Sequence, residues 1–105
     1  MSAPLFWKRL ENEMIEQFVI VRTFSAGVHM GVLKECNGTA VLLEGARRLW
    51  RWSGANSLNE ASQNGVGEQS RISEPVPLIL LTQAVEVIPC SEKARKSLGR
   101  SRWNG

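Results

Sequence analysis

The segment Arg47-Arg48-Leu49-Trp50-Arg51-Trp52 concentrates two of the four tryptophans and three of the nine arginines of this chain on six residues. An indole offers a broad π face. A guanidinium offers a planar fork of donors that stays charged at any physiological pH. Together they suit flat, anionic partners, because bases stack on the ring and phosphate oxygens take paired hydrogen bonds from the fork. The same residues also suit a small core or a subunit interface. Alternation at strand spacing sorts Arg48, Trp50 and Trp52 onto one face and Arg47, Leu49 and Arg51 onto the other. If Leu49 marks the core, the first set is a cationic aromatic platform in solvent. If the tryptophans face the core, the segment is structural. One ring buried and one at an interface is the third arrangement.

Polar residues follow. Ser53, Gly54, Asn56, Ser57 and Asn59 carry small or hydrogen-bonding side chains. Ser57-Leu58-Asn59-Glu60 has capping-box form, so a helix is predicted over residues 57–63, with free N–H groups at its start. Residues 65–71 form a second polar stretch, ending in Arg71 and lacking the spacing of a phosphate loop or dinucleotide fingerprint. The candidate ligand-binding residues are therefore Arg47, Arg48, Trp50, Arg51, Trp52, Ser53, Asn56 and Arg71, with the Gly65-Val66-Gly67 loop shaping the pocket. Ordinary connecting loops are the plainer reading of the polar stretches.

Little else in the chain points to chemistry. His29 is the only histidine and sits in a predicted strand, the setting of a structural histidine. Every acidic residue is Glu, which removes Asp-based metal loops and Asp-containing triads. Cys36 and Cys90 fit no metal spacing and read as free, buried thiols of a reducing cytoplasm. No catalytic constellation is visible, so the expectation is a protein that is not an enzyme, with no cofactor and no metal.

The 105 residues make one domain, with a net charge of +3 that is unevenly spread. Residues 1–90 hold eight Lys/Arg against nine Glu. From Ser91 onward, Lys93, Arg95, Lys96, Arg100 and Arg102 face Glu92 alone. This basic end, with Trp103, is a candidate nucleic-acid contact; a solvated tail that aids solubility is the plainer reading. No apolar run is long enough to span a bilayer, and no secretory apolar core precedes Lys8-Arg9.

The elements that must position these residues can be read in outline. Pro4 and the spacing of Phe6, Leu10 and Met14 predict an N-terminal helix within residues 1–16. A β-rich core is predicted over residues 17–90. Its strands cover 18–24, 28–36 (with Gly31 at a bulge or close approach), 39–44, 46–52 and 78–88, and Asn37-Gly38 marks a hairpin. Residues 67–74 read as loop. Residues 91–105 form a basic C-terminal helix and tail, capped by Ser91 and stopped at Gly99. The fold class is α+β: a mainly antiparallel sheet, as a small roll or an SH3-like partly open barrel, with an inserted short helix and helices at both termini.

Several separated blocks carry a resemblance. Residues 19–29, 46–55, 57–60, 64–67 and 85–90 (among them SAGVH, ARRLWRWSGA, SLNE, NGVG and VEVIPC) are similar to a family of short proteins of tailed bacteriophages. The resemblance runs from about Phe18 to Ser91. It implies a phage origin and action in the cytoplasm of an infected bacterium, and it transfers no catalytic or binding residues.

The leading expectation is a homo-oligomeric phage protein that binds an anionic ligand, a nucleotide first among them, as an anti-defence sponge for a nucleotide immune signal would. One alternative is a nucleic-acid-binding accessory protein using Lys93, Arg95, Lys96, Arg100, Arg102 and Trp103. Another is a protein-interaction role, as a host inhibitor or minor virion component. No membrane partner is expected.

Overall fold

The computed structural model describes residues 5–52, 54–55 and 57–99, with side chains from residue 9 onward. The chain runs α1 (Leu5–Met14), β1 (Phe18–Thr23), β2 (Val28–Asn37), β3 (Ala40–Arg51), α2 (Leu58–Asn64), β4 (Arg71–Ile72), β5 (Val76–Leu81), β6 (Ala84–Pro89) and α3 (Glu92–Leu98). It is an α+β domain with a six-stranded open antiparallel sheet and three short helices. The sheet order is β4-β3-β2-β1-β6, with β5 also paired to β3. Strand β3 is twelve residues long, so its free edge serves two partners in succession: β5 along Val41 to Ala46, then β4 along Leu49 to Arg51.

The sheet rolls up. Strand β5 pairs with β3, and only two residues later β6 pairs with β1. The intervening Thr82-Gln83 touches both ends of the β2 ladder. Phe24 N donates to the Gln83 carbonyl at 2.9 Å, and Ala84 N donates to the Thr39 carbonyl at 3.0 Å. Bulges bend β2 and β3 enough to allow this. One inserts an extra residue on β3 opposite Gly31, where Gly45 takes a φ of 61°. Another inserts Lys34 on β2, and the bulged lysine pairs with Glu16 at 2.6 Å.

Each face of the rolled sheet carries a buried apolar cluster, because successive residues of β1 are apolar and alternate between the two sides. Ile20 points to one face with Met30, Leu49 and Ile72, and these are covered by Leu58 and Ala61 of α2 and Ala94 and Leu98 of α3. Val19 and Val21 point to the other face with Leu33, Val41, Leu43, Ala46 and Leu81, which form the interior of the roll. Burying each large aliphatic side chain contributes about 1.5–3 kcal/mol. Met14 and Ile15, where α1 meets β1, pack against this inner cluster.

The helix ends follow their caps. Ser57 Oγ accepts from Glu60 N at 3.1 Å, and Ser91 Oγ accepts from Ala94 N at 3.1 Å. Gly65 closes α2 at φ 81°, a value side chains rarely adopt. Three expectations are corrected. Residues 39–44 and 46–52 are not two strands: the bulge at Gly45 absorbs the break and the β3 ladder continues. Residues 78–88 are not one strand: the turn at Thr82-Gln83 divides β5 from β6. The stretch 67–74 is not all loop, since it contains β4.

Gly31 tests the bent ladder. A Cβ there would lie 2.9 Å from the Glu44 carbonyl oxygen and 3.3 Å from the Ala46 Cα, both backbone atoms that cannot swing aside. Gly31→Ala is expected to cost about 1–3 kcal/mol of unfolding free energy, measured by urea denaturation.

Candidate functional site

A second irregularity in β3 decides where the arginine–tryptophan segment points. Leu49 pairs with Ile72 and Arg51 with Arg71, so two steps along β3 match one along β4. Leu49 and Ile72 are both buried beneath the helices. Arg71 alternates with Ile72 and so stands on the opposite face, and its partner Arg51 stands there with it. Trp50 lies on that same face. After the inserted residue the alternation resumes, and Trp52 turns back to pack against the helix-covered cluster.

The strict alternation expected from spacing is thereby corrected. The exposed face carries Arg48, Trp50, Arg51 and Arg71. The helix-covered face carries Arg47, Leu49 and Trp52. The tryptophans are split: Trp50 is 58% exposed, whereas Trp52 is half-buried against the core. Arg47 pairs with Met30, is half-buried, and has its Nη1 buried with no hydrogen-bond partner among the described residues. Ser53 and Asn56 lie outside the described residues.

Arg48, Leu49 and Trp50 form one wall of a groove of about 310 Å³. The other wall is the β1–β2 turn, Ser25 to Val28. This wall is pinned from beneath by two buried polar residues. Thr23 Oγ1 donates to the Gly27 carbonyl at 2.7 Å and accepts from Ala26 N at 2.9 Å. His29 Nε2 hydrogen-bonds the Ala26 carbonyl at 2.9 Å. Phe24, in the same turn, is 80% exposed. Among the described residues, no carboxylate lines the groove. Among the described residues, no ion pair joins Arg48, Arg51 or Arg71 to a Glu; the two present are Arg22–Glu86 and Lys34–Glu16.

His29 sits directly across the ladder from Arg48. Burial pushes its pKa below the ordinary 6.5, the Ala26 carbonyl partly offsets this, and the Arg48 charge lowers it further. Because the Ala26 carbonyl can only accept, Nε2 carries the proton in this bond.

The other candidate residues lie elsewhere. Lys93, Arg95 and Lys96 are exposed on α3, which covers the opposite face of the sheet from Arg48 and Trp50. The guanidinium of Arg95 rests 5.6 Å from the centre of the Phe18 ring, a cation–π contact within the fold. The helix and the arginine strand therefore do not form one track. Arg100, Arg102 and Trp103 lie outside the described residues. Cys36 and Cys90 are free and half-buried rather than sealed; burial raises both thiol pKa values, that of Cys90 to about 12, which leaves neither activated as a nucleophile. Among the described residues no group of three or more His, Cys or Glu is placed to hold a metal, and no helix is long and apolar enough to cross a membrane.

Sequence reasoning missed the wall formed by Ser25 to Val28. Its only local signal is the Ser-Ala-Gly turn, and the strand pairing that brings it beside Trp50 is long-range.

The His29 geometry sets a pH dependence. A folded pKa below the unfolded value means the unfolded chain binds more protons, so stability is full above pH 6.5 and falls as pH drops through the folded value. Urea midpoints are expected to decrease between pH 7 and pH 5. In His29→Gln, which cannot titrate, this part of the pH slope is expected to vanish.

No curated protein matches the chain. Residues 16–98 match the model of a family described as a domain of unknown function, DUF6948, a span that begins at the end of the N-terminal helical segment and includes the whole sheet, α2 and α3. The chain belongs to the DUF6948 family.

Proposed function

We propose that this protein binds an anionic, aromatic ligand, a nucleotide, in the groove between Ser25–Val28 and Arg48–Trp50. The observation that carries the reading is the largely exposed Trp50 ring standing on the same face as Arg48 beside that groove. A base stacks on the indole, and Arg48 donates to a phosphate from a wall that holds no competing carboxylate. The turn residues Ser25 to Gly27 line the other side of the groove, where they would meet the edge of the base or the sugar. Binding without catalysis is the role proposed, in keeping with a sponge that lowers the free concentration of a nucleotide signal. A phage origin and action in the host cytoplasm, implied by the resemblance of the sequence blocks, belong to the same proposal.

Self-association is proposed with it. Val76, Leu78 and Leu80 expose 45%, 57% and 61% of their surface along β5, apolar area of the kind that subunits bury. Pro77, which has no N–H to offer, disfavours pairing by the backbone edge, so contact through the side-chain face is the mode proposed. Sedimentation velocity is expected to give a species larger than the monomer, which Leu78→Lys shifts to the monomer.

Calorimetric titration with linear and cyclic nucleotides tests the binding. Saturable binding is expected, weakened about ten- to a hundredfold in Trp50→Ala, the loss that one stacked base implies. Flat titrations of the intact protein at millimolar ligand would reject the reading.

A further inference from the structure

The bulge at Trp50-Arg51 sets Arg51 and Arg71 directly opposite each other in the β3–β4 ladder. Like charges in that position repel across a separation of about 5 Å, which works against pairing of a strand only two residues long. Both side chains are exposed, and among the described residues neither forms an ion pair with a glutamate. The chain thus places two arginines directly opposite each other in the ladder, on the face that also carries Trp50.

Arg48 is a separate cationic centre. It lies three residues before Arg51 on β3, about 10 Å away at strand rise, with Trp50 between them. A base stacked on Trp50 therefore has positive charge on two sides: Arg48 by the groove, and the Arg51–Arg71 pair toward β4. A nucleoside with one phosphate, or with two phosphates joined on one side, reaches a single centre. A ligand whose base is flanked by phosphoryl groups on both sides of the sugar reaches both.

Building on the groove as a nucleotide site, we propose that it selects ligands with two separated phosphoryl groups flanking one base, the 3′,5′ pattern shared by nucleoside bisphosphates and internucleotide linkages. The paired arginines each direct a fork of N–H donors at the second phosphoryl group, whose charge relieves their mutual repulsion. This assigns Arg51 and Arg71 a specificity role distinct from that of Arg48 and Trp50.

The test compares three probes by calorimetry: adenosine 5′-monophosphate, adenosine 5′-diphosphate and adenosine 3′,5′-bisphosphate. The bisphosphate is expected to bind at least about tenfold more tightly than either of the others. Arg71→Gln and, independently, Arg51→Gln are expected to collapse that ratio toward one. Both positions are exposed, and thermal melts of the two variants report whether the fold is kept. A pair of short oligonucleotides, a dinucleotide and an eight-residue single strand, separates the sources of the linkage: a small-molecule site saturates with the dinucleotide, and a strand-binding site gains with length. Equal affinity for the three adenosine probes, or a preference that survives both variants, overturns this inference and leaves the groove reading standing. Failure of all three probes to bind at millimolar concentration overturns both.

Discussion

The architecture turns on the hydrogen-bonded ladder of β3. This one strand pairs with β2 along one edge and with β5 and then β4 along the other, so it belongs to the rolled interior and to the helix-covered layer at once. A strand shared in this way can present a given residue to only one face, and each inserted residue reverses the assignment. The bulge opposite Gly31 keeps Ala46 in the interior of the roll after Leu43. The bulge at Trp50-Arg51 keeps Arg51 outside after Trp50 and turns Trp52 inward. Two insertions thus separate a dense arginine–tryptophan run into a structural half and an exposed half.

The exposed half gains its definition from residues with no chemistry of their own to perform. Thr23 and His29 are buried polar side chains of β1 and β2, and each spends its hydrogen bonds on the turn that faces Trp50. Buried polar groups are costly unless satisfied, so these bonds hold the turn in one conformation. The result is a groove with one wall on strand β3 and the other on a fastened turn. On the proposed reading, a ligand would have little loop ordering to drive, which favours affinity.

Much of this plan was legible in the residues. The caps Ser57 and Ser91, the stop at Gly99 and the Asn37-Gly38 hairpin are local signals decided by local hydrogen bonding, and Gly31 marks its close approach to β3 by its lack of a side chain. What stayed hidden was decided by partners distant in the chain. A period of two cannot reveal an inserted residue whose cause is the register of β4, so Trp50 and Trp52 looked like neighbours on one face. Strand β4 is too short to carry any pattern. Thr82-Gln83 contains neither Gly nor Pro, yet it turns because Phe24 and Thr39 bind its backbone and its neighbour's. Arg47 shares the face of Leu49, as their spacing predicts; its half-burial there follows from its pairing with Met30.

The clasp between α2 and α3 has a consequence for how the chain matures. Ser91 Oγ donates to the Gln63 carbonyl at 2.5 Å, and Ser97 Oγ both accepts from Val66 N at 3.0 Å and donates to the Val66 carbonyl at 2.9 Å. The segment from α2 to β4 is therefore secured by residues made some thirty positions later in translation. Until Ser97 is made, that segment is held only by the packing of α2 and the short β4 ladder, and the part of the apolar cluster that Ala94 and Leu98 cover stays open to water and to chaperones. Completion of this layer therefore waits for α3 to be made and is not achieved by the first strands to pair.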